Sequence, residues 1–121
     1  MKKLILLMLI IFSASFASRS FGQDCYSSNP KYCKLLSDTA GVKMMVITLP
    51  PGAKLVTHTH PVNLGYCIKG GLYKWTYEAT GKTESVEMKP GDEMHGGPEP
   101  AHHSWNAGKT TIQFILVEKH D

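Results

Sequence analysis

The chain has 121 residues and a formal net charge of +3. That length is enough for one domain with one modest hydrophobic core. Three positive charges and no acid fall within residues 1–22, so the rest of the chain carries a formal charge of zero. A neutral domain without a basic stripe lacks the electrostatic footprint of a nucleic-acid-binding protein, and we expect no nucleic-acid partner.

Residues 1–22 have the pattern of a secretory signal peptide. Lys2 and Lys3 precede an apolar run that ends near Phe12, and small or polar residues follow. This order is typical of export signals, and the apolar run is shorter than the ~20 residues of a membrane span. We therefore expect a secreted or periplasmic protein with no stable membrane span once the signal is removed. An uncleaved N-terminal anchor is the alternative.

Residues 23–34 are predicted to form a polar leader with a turn at its centre. This leader contains Cys25 and Cys33. In an oxidising compartment these two cysteines could close a short disulfide loop, but the sequence equally allows two separate thiols.

From residue 35 onward the sequence consists of short β-type runs separated by glycine and proline. The predicted strands cover residues 42–49, 54–60, 64–69, 72–78, 83–88, 93–95, 102–106 and 110–118. No stretch shows sustained helical spacing of apolar residues. Many short strands at nearly even spacing predict an all-β domain, either a sandwich or a barrel, over residues 35–118.

Strand alternation also predicts which side chains face the interior. In the strand that follows Gly71, the aromatic residues alternate with polar ones and share one face. An aromatic interior suits a small barrel whose lumen holds a ligand. The predicted pocket residues are Tyr66, Tyr73, Trp75 and Tyr77.

The strand at 64–69 is oriented by its one charged residue. Lys69 is taken to mark the outer face, which turns Leu64, Tyr66 and Ile68 inward. Cys67 then faces outward, where it would be available to an interface between two copies of the chain. A homodimer is therefore left open.

His58 and His60 are the residues with the clearest chemical meaning. Two positions apart on one strand, their imidazole rings point to the same face. Neutral imidazole is the commonest side-chain metal ligand and suits iron, nickel, copper and zinc. The pair alone is a weak signal, because histidines at this spacing also occur by chance.

The sequence around these histidines resembles the first motif of the cupin family, G-x5-H-x-H-x3–4-E-x6-G. Residues 50–71 read PPGAKLVTHTHPVNLGYCIKGG, and residues 90–106 read PGDEMHGGPEPAHHSWN. The second string is similar to the second cupin motif, G-x5-P-x-G-x2-H-x3-N, with His102 and Asn106 at its last two named positions. The resemblance implies a single cupin-type jelly-roll β-barrel. It also implies that His58, His60 and His102 bind a divalent metal, with iron, manganese, nickel and zinc all left open.

This chain departs from the family pattern at the glutamate ligand. The expected position falls on Leu64 or on Asn63, depending on which glycine ends the motif, and neither residue is a carboxylate. In the second motif, Gly97 and Glu99 replace the expected proline and glycine. The departure implies a site with three neutral protein ligands and open positions, which would favour an anionic partner.

The resemblance implies a metal-dependent enzyme of the dioxygenase, isomerase or lyase type that acts on a small molecule. The alternative is a non-enzymatic module that binds a sugar or an aromatic acid. The candidate acid–base residues are His95, Glu93 and Glu99. His103 is expected to face outward, because it directly follows His102 on a strand, and His120 is given no role.

Overall fold

The computed structural model of the chain describes residues 24–120. The predicted signal peptide therefore lies outside the described residues. No helix among the described residues is long and apolar enough to cross a membrane. The elements are α1 (Cys25–Ser28), β1 (Cys33–Thr39), β2 (Val42–Leu49), β3 (Lys54–His60), β4 (Asn63–Lys69), β5 (Gly71–Tyr77), β6 (Thr83–Met88), β7 (Glu93–Gly96), β8 (Glu99–Asn106) and β9 (Ile112–Lys119).

The strands form two antiparallel sheets, ordered β1-β2-β9-β4-β7 and β3-β8-β5-β6. This confirms the prediction of an all-β domain. Hydrogen bonds do not close the two sheets into a barrel within residues 24–120, so the closed form of the prediction is wrong. The chain changes sheet at most of its connections, which leaves β1, β7, β3 and β6 as edge strands.

The core comes from strict alternation on β2 and β9, the two central partners of the larger sheet. Their inward residues are opposed pairwise: Met45 to Leu116, Ile47 to Phe114, and Leu49 to Ile112. All six are buried. Packing of this kind contributes about 1.5–3 kcal/mol for each fully buried large side chain, and it fixes the sheet beneath the histidines.

The predicted faces of β4 are wrong. Leu64 and Tyr66 are 62% and 53% exposed, whereas Cys67 is fully buried and Asn63 also faces inward. Lys69 misled the prediction because the β4–β9 pairing shifts register between Cys67 and Lys69. A bulge there breaks the alternation from which the other residues were counted.

Two expectations that depended on these faces, for Tyr66 and for Cys67, are therefore also wrong. Tyr66 lies on the outer face and does not line the cavity, and Cys67 is unavailable to an interface between copies. A homodimer remains an untested prediction.

The segment predicted as a leader folds against the domain. Asp24 forms a bridge with Thr59, and α1 packs on β3. The side-chain oxygen of buried Asn29 accepts a hydrogen bond from the amide of Val56 at 2.7 Å. These contacts place Cys25 beside the strand that carries His58.

Candidate metal centre

The structure places the rings of the three predicted metal ligands next to one another. Among the described residues, the group whose ligand atoms all lie within 4.8 Å of one another contains His58 and His60 but not His102. His58 and His60 lie on β3, and His102 is the direct partner of His58 on the adjacent strand β8. The ring centroids are 4.5 Å apart for His58 and His102, 4.8 Å for His58 and His60, and 5.4 Å for His60 and His102. All three rings are buried.

Each ring is held by a hydrogen bond at the same atom, Nδ1. The partners are the carbonyl of Val56 for His58 (2.6 Å), the carbonyl of Pro100 for His102 (2.8 Å) and the carboxylate of Glu118 for His60 (2.5 Å). Carbonyl and carboxylate oxygens only accept, so Nδ1 carries the proton and Nε2 keeps its lone pair. The Nε2 atom of His58 is buried without a partner. A metal ion would satisfy that atom.

The surroundings keep these histidines in the form that binds metal. The pKa of His58 is lowered to about 4, chiefly by burial and in smaller part by the neighbouring rings of His60 and His102. Burial also lowers the pKa of His102. Both are therefore neutral near pH 7, and neutral imidazole is the ligating species.

Cys25 is a further ligand candidate that the sequence analysis missed. A sulfur or nitrogen ligand atom from each of Cys25, His58 and His60 lies within 4.8 Å of the others. The cysteine is fully buried and comes from α1, a segment with no ligand motif. Cys25 and His58 are 33 positions apart in the sequence. Only the packing of α1 against β3 shows that the two side chains are close.

Of the two alternatives left open for Cys25 and Cys33, the structure has two free thiols and no disulfide between them. The two residues are nevertheless neighbours. A hydrogen bond with Cys33, together with burial, raises the pKa of the Cys25 thiol. The Cys33 thiol also lies 3.5 Å from the sulfur of Met45. The structure therefore gives the second of the two alternatives, a pair of adjacent thiols.

The histidines open onto a cavity of about 380 Å³ between the two sheets. Tyr73 and Trp75 lie in its wall, as predicted for the aromatic face of β5. Tyr77 does not line it, but its ring packs 6.1 Å from that of His102. The indole nitrogen of Trp75 is buried without a hydrogen-bond partner. It is a donor that an oxygen of a bound molecule would satisfy.

Of the three candidate acid–base residues, Glu99 belongs to the inner face, because it pairs with buried His60. Glu93 and His95 border the cavity, but they pair with Tyr66 and Leu64, whose side chains lie on the outer face of the sheet. Glu93 and His95 are exposed on β7, and Glu99 is half-buried at the start of β8. No lysine or arginine is among the lining residues in the described chain. The inner wall therefore combines aromatic surface and imidazole with the carboxyl group of Glu99.

His103 lies on the outer face, as expected. Its Nδ1 hydrogen-bonds to the carboxylate of Glu78 at 2.5 Å, and both side chains are substantially exposed. This histidine–glutamate pair is of the same kind as the pair of His60 and Glu118, but it lies on the outer face of the sheet.

Glu118 is the second residue that sequence reasoning missed. It is 1% exposed, and it bonds to His60 at 2.5 Å and to His120 at 3.1 Å. Burial raises the pKa of Glu118, but the hydrogen bonds from His60 and His120 outweigh burial, and the net shift is downward. The signal was readable: Glu118 continues the alternation of Phe114 and Leu116 on the inner face of β9, where a charged residue is unusual.

No family model matches the chain, and no curated protein matches it. Solved structures do. A cupin domain from Bordetella pertussis Tohama I aligns with a TM-score of 0.65 at 17% identity, covering 74% of this chain and 92% of the other. An RmlC-like cupin family protein with a double-stranded β-helix fold, from Methanocaldococcus jannaschii, aligns with a TM-score of 0.59 at 21% identity over 73% and 78%.

A longer neighbour is an enzyme. Recombinant oxalate oxidase in complex with glycolate aligns with a TM-score of 0.56 at 21% identity, covering 78% of this chain and 54% of the oxidase. Identities this low establish a shared fold and leave activity open. The two-sheet topology and these alignments agree with the motif resemblance, and this chain therefore has the cupin fold.

Proposed function

We propose that this protein binds a divalent metal ion through the Nε2 atoms of His58, His60 and His102. The observation that carries the proposal is the convergence of three buried rings whose Nδ1 atoms are all occupied by oxygen acceptors. That arrangement fixes the tautomer of each ring and leaves its Nε2 atom free to bind a metal ion. Iron, manganese, nickel and zinc all accept imidazole, so the donor set does not choose among them.

We further propose that Cys25 is the fourth ligand. Its thiol sulfur lies within 4.8 Å of a ring nitrogen of each of His58 and His60, and soft thiolate suits zinc and iron. Metal binding displaces the thiol proton and so offsets the high pKa that the hydrogen bond with Cys33 and burial give the free cysteine. Three histidines and one thiolate would supply four protein ligands, and an ion that accepts five or six ligands, such as iron, would keep a position open for an oxygen of water or of a bound molecule.

Replacing Cys25 with serine tests the fourth ligand. Cobalt(II) added to the wild-type protein should give a near-ultraviolet thiolate-to-metal charge-transfer band, because sulfur binds the ion directly. The band should disappear in Cys25→Ser and persist in Cys67→Ser, the control, which removes an equally buried free thiol from β4. A wild-type spectrum without the band, at saturating cobalt, would exclude Cys25 from the coordination shell.

The site supports an enzyme that acts on a small molecule better than it supports any other class. A bound metal polarises an oxygen of a ligand or of water. Glu99 pairs with His60 on the inner face and lines the same cavity, so it can exchange protons with a molecule held there. The ligand should present an acceptor oxygen, such as a carbonyl or carboxylate, to the unpartnered indole N–H of Trp75.

The alternative function is a binding module for a sugar or an aromatic acid. The aromatic wall formed by Tyr73 and Trp75 favours it. Incubating metal-loaded protein with candidate oxygen-bearing compounds separates the two functions. An enzyme consumes a compound and loses that turnover in Glu99→Gln. A binding module shows saturable binding of the compound with no product.

We propose that the protein is exported, and that residues 1–22 are removed. The support is the basic, apolar and small-residue order at the start of the sequence. The expected result is an intact mass, measured on protein from the extracellular or periplasmic fraction, that corresponds to a chain starting at about Gln23. Full-length chain recovered from the cytosol would overturn this proposal.

A further inference from the structure

Glu118 occupies an unusual place for a charged side chain. It lies on the inner face of β9, is 1% exposed, and stands directly opposite Asn63 on β4. A buried carboxylate is costly unless it is paired. Here both oxygens are used, Oε2 by Nδ1 of His60 and Oε1 by Nε2 of His120.

The contact with His60 is made at the nitrogen away from the proposed metal position. Nδ1 is held by the carboxylate, so Nε2 is the atom left to bind a metal ion. A carboxylate behind a ligating imidazole fixes the orientation of the ring and raises its basicity. His58 and His102 have only neutral carbonyls at the same atom. His60 therefore differs from His58 and His102 in having a charged group bonded to its Nδ1 atom.

The negative charge of Glu118 would partly compensate the positive charge of a metal ion bound by the histidines. Three neutral imidazoles and one thiolate would leave one positive charge of a divalent cation uncompensated in a buried place. Among the side chains hydrogen-bonded to the three histidine rings in the described chain, Glu118 is the one with a carboxylate. His120 is 21% exposed and holds the second oxygen, which keeps the carboxylate behind His60.

We propose that Glu118 is a positioning residue of the metal centre: through His60 it orients one ligand and supplies negative charge to the cation without binding it. His120 holds Glu118 in that position. The inference rests on the proposed metal site and adds to it a residue from the last strand of the fold.

The test is Glu118→Gln, with Glu78→Gln as its matched control. The amide retains shape and a hydrogen-bond acceptor for His60 but removes the charge. Affinity for zinc, measured by competition with a chromophoric chelator, should fall by ~10–100-fold in Glu118→Gln. Glu78→Gln removes the same charge from the analogous pair with His103 on the outer face and should leave zinc affinity unchanged. The cobalt absorption spectrum should shift in the first variant alone.

A purely structural role for Glu118 would change the thermal stability of the metal-free protein but not the zinc affinity of the folded variant. His120→Ala provides a second approach if Glu118→Gln fails to fold. It frees one carboxylate oxygen and should weaken zinc binding in the same direction by a smaller factor. Unchanged affinity in a folded Glu118→Gln, or in His120→Ala if the first variant does not fold, would overturn the inference. If His102→Ala also binds zinc like the wild type, the metal site itself is wrong.

Discussion

Replacing His102 with alanine should abolish tight metal binding, whereas replacing its neighbour His103 should not. His102 points inward among the other two imidazoles, and His103 faces solvent beside Glu78. Removing a direct ligand should lower zinc affinity by more than the ~10–100-fold expected when a residue that only hydrogen-bonds to a ligand is removed. Zinc affinity of the purified variants, by chelator competition, and metal content, by elemental analysis, both report this difference.

The pair of variants is informative because the two histidines are adjacent on β8 and identical in chemistry. Circular dichroism and thermal unfolding of both variants would show that the fold is retained. Equal metal content in His102→Ala and His103→Ala would contradict the assignment of the inner cluster.

Introducing a carboxylate at Asn63 should tighten metal binding, and the same change at Leu64 should not. Asn63 faces the cavity that holds the histidines, whereas Leu64 is 62% exposed on the outer face. We expect Asn63→Glu to raise metal affinity by about tenfold or more, which is about 1.4 kcal/mol or more. The added carboxylate binds the ion and reduces the net charge of the centre.

The metal-free form of Asn63→Glu should be less stable than the wild type. Asn63 stands opposite Glu118, so the substitution places two carboxyl groups together in a buried site. Metal binding relieves that repulsion. Differential scanning calorimetry should therefore show a larger metal-induced rise in melting temperature for Asn63→Glu than for Leu64→Glu. Equal rises in the two variants would mean that Asn63 does not face the metal.

The parts of the fold that follow from local pattern were predictable. Apolar alternation and the Gly and Pro breaks located the β strands, and H-x-H spacing on one strand placed His58 and His60 on one face. The second motif located His102. The pairing that brings His102 opposite His58 is a long-range feature, and it was reached through the family resemblance.

The face of β4 could not be read correctly from sequence because the bulge before Lys69 interrupts the alternation. A polar Asn63 facing inward is also contrary to simple patterning. The structure accommodates it because its amide donates to the carbonyl of Pro61 at 2.9 Å. Barrel closure likewise depends on which strand edges pair, and hydrophobic pattern does not specify that.

The two missed residues show different limits. Cys25 reaches the histidines only because α1 folds back on β3, a contact between segments with no shared motif. Glu118 was detectable in principle, because it is a charge in phase with a buried apolar face. Its partner His60 lies 58 positions earlier in the chain, so the sequence could suggest an unusual buried acid but not what it contacts.

Anomalous X-ray diffraction from crystals grown with zinc or with the natively bound metal tests the central claim most directly. The predicted map has one strong peak inside the cavity, ~2.0–2.1 Å from the Nε2 atoms of His58, His60 and His102. A cavity without a peak, with the metal instead at the outer His103–Glu78 pair, would contradict it.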